Sequence, residues 1–135
     1  HDATAFAVHA ACALIGRRGR PAPDIVEASF YHDRGGAMAT GAFLPAGNVR
    51  AVRFDLDAAR RDLKRRMVAC FATQQAVLAP FPLDRELLRP APAYRFTSSP
   101  AAAALYDRFD WGMRSERWRT LAAAALAELD LGEPL

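Results

Sequence analysis

Ile25 and Val26 stand side by side in a run of strand-forming residues, Asp24 to Tyr31, and no other pair constrains the fold as tightly. Successive side chains of a strand point to opposite faces, so adjacent apolar residues ask for cover on both faces of a sheet. Strands of that kind belong to parallel sheets flanked by helices, and they need neighbours. The remaining chain supplies few. Val49 to Leu56 alternates strictly, with Val49, Ala51 and Arg53 on one side and Arg50, Val52, Phe54 and Leu56 on the other, which predicts a half-exposed strand near a sheet edge. Ala37 to Pro45 is a further loop or short strand, closed by the turn Pro45-Ala46-Gly47-Asn48. The missing neighbours are expected upstream of His1. The chain is accordingly expected to be a fragment of something longer, since no initiator Met, signal-peptide pattern or tag-like run precedes His1.

The helices read more easily. His1 to Ile15 is predicted helical: Phe6, Ala10, Ala13 and Leu14 share a face, Asp2 sits where a helix N-terminus favours an anion, and Gly16 supplies the stop. His1 stands at the mouth of that helix, positioned like a ligand, whereas His9, two turns on, reads as a helix-face residue. Arg17 to Pro23 is an exposed loop by composition. Asp57 caps a long predicted helix from Ala58 to about Leu78. Leu63, Met67, Cys70, Phe71 and Gln74 form its stripe, Arg60, Arg61, Arg65 and Arg66 lie largely away from it, and Pro80 and Pro82 end it. Gln74 is read as a buried hydrogen-bonding residue that fixes this helix. Pro80 to Pro100 reads as an ordered arm over the surface, Leu105 to Phe109 as one turn, and Trp118 to Leu129 as a last amphipathic helix with Trp118, Leu121, Ala125 and Leu129 aligned. Trp111 and Trp118 read as core or interface anchors.

Composition excludes some classes. No apolar run approaches the ~20 residues of a membrane helix, so no membrane span is expected. The net charge of +3 is carried by arginines, with Lys64 the single lysine, in a chain rich in alanine; that joint bias is what a GC-rich coding sequence produces. The basic clusters Arg17 to Arg20 and Arg60 to Arg66 contain no aromatic platform for stacked bases, and no nucleic-acid partner is expected. Cys12 and Cys70 make neither a disulfide framework nor a zinc spacing and read as buried thiols.

A second polar candidate follows the Ile25-Val26 strand, which runs into Tyr31-His32-Asp33-Arg34-Gly35-Gly36. Strand ends that release into glycine and polar side chains are where open α/β sheets hold ligands, so Tyr31, His32, Asp33 and Arg34 are the expected substrate-binding wall.

These residues resemble the C-terminal half of the PIG-L/LmbE-type zinc-dependent N-deacetylases. That family carries an A-H-P-D-D-E motif and a later H-P-D-H whose last histidine binds zinc and opens a helix. His1-Asp2-Ala3-Thr4-Ala5 is similar to the end of the second motif and the helix after it. Lys64, Met67, Phe71, Thr73 and Gln74 match the family's K-x-x-A-x-x-x-Y-x-S-Q helix in spacing, departing at Met67, Phe71 and Thr73. The run from Arg89 to Thr97, with Phe109 to Met113 and Trp118-Arg119, resembles the tail of one bacterial branch.

The resemblance implies an α/β protein, Rossmann-like and three-layered (α/β/α), of which this chain is the C-terminal portion of a single domain. It implies zinc as cofactor, His1 as one of three metal ligands, and no catalytic base in this chain. The implied activity of the complete protein is hydrolysis of an N-acetyl or other N-acyl amide on an amino sugar or related glycoconjugate, a small-molecule partner. A cytoplasmic location goes with it, and a homo-oligomer is left open. The isolated chain is expected to be inactive and to bind zinc weakly. The other reading is a non-catalytic α/β ligand-binding or interaction module. The reading frame before His1 separates the two, since only the first requires H-P-D directly upstream and A-H-P-D-D-E well before it.

Overall fold

A computed structural model of the chain describes residues 2–98 and 104–135. In chain order its elements are α1 (Asp2–Arg17), β1 (Val26–Ala28), β2 (Tyr31–Arg34), β3 (Ala37–Thr40), β4 (Val52–Asp55), α2 (Ala58–Ala69), a 3-10 turn (Ala72–Gln74), α3 (Gln75–Leu78), β5 (Arg85–Pro90), a second 3-10 turn (Leu105–Arg108) and α4 (Ser115–Glu128). Helix and sheet are mixed. They belong to two units: His1–Ile25 with Pro92–Leu135 forms one, and Val26–Ala91 the other.

In the unit Val26–Ala91, three strands form a sheet in the order β1-β5-β4, antiparallel throughout, with Val26 opposite Pro90 and Val52 opposite Leu88. β4 lies at an edge, as expected, but all four of its residues are exposed, so the covered face that its alternation predicts is not formed. The expectation of a doubly covered parallel strand at Ile25 to Phe30 is overturned. Val26 is exposed, β1 is an edge strand, and the chain turns at Ser29-Phe30 into a separate hairpin, β2-β3. The doubly flanked strand is β5, within the segment read as a surface arm. Leu87 and Leu88 are adjacent and half-buried there, and Pro90 sits at the end of the strand, where a missing N–H is tolerated.

The predicted long helix stops early. Asp57 caps it as expected, accepting the Arg60 N–H at 2.8 Å. That bond, together with the Arg60 guanidinium, holds the Asp57 carboxyl below its ordinary range. α2 then ends at Ala69, and Phe71 leaves helical geometry with φ −95° and ψ 62°. The side-chain amide of Gln75 donates to the carbonyls of Val68 (2.8 Å) and Phe71 (3.1 Å), acceptors that a continuing helix would use for its own backbone. Gln75 thus does the work assigned to Gln74, which is exposed in the 3-10 turn. The stripe Leu63, Met67 and Phe71 is exposed, and so is Cys70, against the expectation of a buried thiol.

Arg89 of β5 ties this unit together. Only 6% exposed, it is ion-paired with Glu27 of β1, donates to the Leu44 carbonyl at 2.8 Å and lies 4.2 Å over the Phe43 ring.

In the other unit, α1 buries His9 and Ala10, and α4 buries Ala122 and Leu126. The buried stripe of α4 is rotated from the predicted one, for Leu121 and Leu129 are exposed. Phe6 meets Phe96 and Trp118 edge-on, at 5.3 and 6.1 Å between ring centroids, so Trp118 is the anchor expected of it. Trp111 is not: it is 65% exposed and stacks on Phe109. Arg17 closes the last turn of α4 by donating to the Leu129 carbonyl at 3.1 Å and pairing with Asp130 at 2.9 Å. Asp107 ties down the starts of both the second 3-10 turn and α4, accepting from the Ala104 N–H (3.2 Å), the Ser115 N–H (2.7 Å) and the Ser115 hydroxyl (2.6 Å). Among the described residues no helix is long and apolar enough to cross a membrane.

Removing one partner of a buried ion pair costs about 3–5 kcal/mol, against under about 1 kcal/mol for an exposed pair. Arg89→Ala is therefore expected to lower the unfolding free energy by about 3 kcal/mol in a urea titration, and Arg53→Ala, whose pair with Asp55 is exposed, to leave the transition midpoint essentially unchanged.

Candidate functional site

His1, the expected metal ligand, lies outside the described residues. The helix expected behind it is present and begins at Asp2. Its first turn is anchored: the Tyr106 hydroxyl donates to the Asp2 carboxylate at 2.9 Å. Burial, and then the neighbouring Asp2 carboxylate, push the Tyr106 phenol well above its ordinary pKa, so it remains a donor. His9 is a core residue. Its ring packs edge-on against Tyr94 and Phe96 at 5.3 and 5.6 Å between centroids. Among the described residues no group of three or more His, Cys, Asp or Glu side chains is arranged to hold a metal ion.

The polar segment read as a strand end is itself a strand. Tyr31 to Arg34 forms β2 and pairs with β3 in a tight hairpin, Tyr31 opposite Thr40 and Arg34 opposite Ala37. The loop is Gly35-Gly36, at φ 59° and 95°. Two-residue hairpin turns of the type matching strand twist need positive φ at both positions, and only glycine adopts that freely. The turn is completed by the Asp33 carboxylate, which accepts the Gly36 N–H at 3.2 Å. Alternation along β2 puts Tyr31 and Asp33 on one face and His32 and Arg34 on the other. The four residues therefore do not converge on one wall. Arg34 is exposed at the tip, and the other three are half-buried.

A concave site that the sequence did not announce lies elsewhere in the same unit. Phe30, Phe81, Val68, Leu78 and Leu87 line a cavity of about 230 Å³, with Lys64, Arg85 and Glu86 contributing its polar part. Phe30 and Phe81 lie 5.0 Å apart with their planes 33° from parallel. Lys64 Nζ donates to Glu86 Oε1 at 2.5 Å and to the Arg85 carbonyl at 3.3 Å. Gly41 is pinned against this region: at φ +63°, a Cβ there would stand 2.7 Å from Pro82 Cγ. The available signal was Lys64 and Val68, one turn apart on α2; Lys64 was read only as a member of a motif, and Val68 was not singled out.

No protein-family model matches the chain, and neither a curated protein nor a solved structure matches it.

The Tyr106–Asp2 bond gives a pH dependence whose sign is fixed. A phenol with its folded-state pKa raised keeps its proton when the unfolded chain has begun to lose it, so the contribution is intact below pH 10 and declines as pH rises above it. Tyr106→Phe is expected to cost about 1 kcal/mol at pH 7 and to flatten the decline above pH 10, read by thermal unfolding across that range.

Proposed function

We propose that this chain is the C-terminal part of a zinc-dependent N-deacetylase that removes an acetyl or other acyl group from an amino sugar or related glycoconjugate. The complete domain would be Rossmann-like and three-layered, with the sheet extended by strands ahead of His1. The observation that carries the reading is the position of α1. A sixteen-residue helix begins at the residue after His1, with its first turn tied down through Asp2 and Tyr106. A histidine directly before such a helix has a fixed point of attachment, which a metal ligand needs. Lys64 and Gln74, which match the family's helix motif in type and spacing, support the same assignment.

In this proposal zinc is held by His1 together with the histidine and carboxylate that the resemblance implies ahead of it. When bound, zinc polarises the amide carbonyl and acidifies a water. The catalytic base also comes from outside these residues. What this chain contributes is the helix that carries His1, the Tyr106–Asp2 bond that holds that helix, and an exposed guanidinium at Arg34. Arg34 can offer forked donors to a sugar hydroxyl or an acidic aglycone.

The test uses the polypeptide that carries these residues with the segment preceding His1. Loss of one ligand of three is expected to cost His1→Ala most of its zinc, measured by elemental analysis, and its deacetylation of an N-acetylated amino sugar. Wild-type zinc content in that variant removes His1 from the ligand set, and a wild-type protein that neither binds zinc nor deacetylates favours the ligand-binding module. Arg34→Ala is expected to retain zinc and to change relative kcat/KM among substrates; an equal loss for all of them counts against a specificity role.

A further inference from the structure

We propose that the cavity beside Lys64 is a binding site for a small, uncharged, single-ring aromatic compound that carries one hydrogen-bond acceptor, of the aryl amide or phenol class. The inference does not rest on the zinc reading, because it is argued from the geometry of the cavity alone, within the unit Val26–Ala91.

Size sets the first limit. An apolar cavity of ~150 Å³ accepts benzene, and pockets for drug-sized molecules begin near ~300 Å³. At about 230 Å³ this cavity suits one ring with a short substituent. The walls set the second. The tilted Phe30–Phe81 pair offers ring faces and edges to an aromatic guest, and Val68, Leu78 and Leu87 supply aliphatic surface.

The polar end decides the class. An ammonium has three donors, and Lys64 commits two, to Glu86 and to the Arg85 carbonyl. The third has no partner among the described residues. A neutral acceptor in the cavity can take it. A carboxylate is poorly served, because the Lys64 charge is already matched by Glu86 and the Arg85 charge by Asp84 at 3.2 Å. The site is thus close to electrically neutral, and an added anion would meet the Glu86 carboxylate without a cation left over.

The test is a chemical-shift titration of the isotope-labelled polypeptide, zinc-free, with benzamide, toluene and benzoate. Benzamide is expected to shift the amides of Phe30, Phe81, Lys64 and Leu87, with toluene and benzoate each about tenfold weaker or more. Lys64→Met is expected to bring benzamide down to the affinity of toluene. Val68→Phe, which fills the cavity and leaves the polar end untouched, is expected to abolish the shifts. The wild-type spectrum away from the cavity reports whether each variant is folded. Benzamide shifts that are absent, or that survive Val68→Phe, overturn the site. Benzoate binding as tightly as benzamide, or toluene binding as tightly, overturns the ligand class. Because no zinc or turnover enters the readout, these outcomes are independent of the deacetylase proposal.

Discussion

Every backbone hydrogen bond of the three-stranded sheet has one partner on β5, and the buried Arg89 on that strand reaches Glu27 of one neighbour and the Leu44 carbonyl of the connection between others. A guanidinium so little exposed must have its donors met, or its desolvation is uncompensated. The segment around Phe43 and Leu44, which has no regular structure of its own, is thereby fixed against the sheet by an acceptor and an aromatic face. One side chain thus sets β1, β5 and that connection together. The cavity follows, since its Ser29, Phe30 and Gly41 flank the hairpin and its Glu86 and Leu87 belong to β5.

The parts of this fold that were legible in the sequence are those decided locally. The Asp57 cap, the start of α1, the edge position of β4 and the turn at Leu105–Arg108 each rest on a residue type acting over a few positions, whereas α1 runs through Gly16, read as its stop, and ends at Arg17. The misreadings concern which element sits next to which. Adjacent apolar residues do mark a strand with neighbours on both sides, but the pair that carries the signal is Leu87-Leu88. The prolines at 80, 82, 90 and 92 surround it and gave that stretch the composition of a loop. The stop of α2 was illegible for another reason: it depends on the Gln75 amide folding back onto two carbonyls, and no glycine or proline announces it.

The candidate residues divide in the same way. Gly35-Gly36 carried a hairpin signal in plain view, two glycines between strand-forming residues, and reading the stretch as a strand end hid the alternation that splits Tyr31 and Asp33 from His32 and Arg34. The cavity could not be found by spacing at all, because Phe30, Lys64 and Phe81 are brought together only by the pairing of β5 and the docking of α2.

The unit Val26–Ala91 is inserted in the other, and its first and nearly last residues, Val26 and Pro90, are directly opposed across β1 and β5. This has a bearing on the order of folding. In the unfolded chain, bringing Arg17 to Asp130 means closing a loop of 113 residues. Once β1 and β5 have paired, the intervening unit spans one strand spacing, about 5 Å, and the effective loop shrinks to about fifty residues, nine from Arg17 to Val26 and forty from Pro90 to Asp130. The inserted unit is the natural first folder, and anything that delays β5 delays helices that lie far from it in sequence.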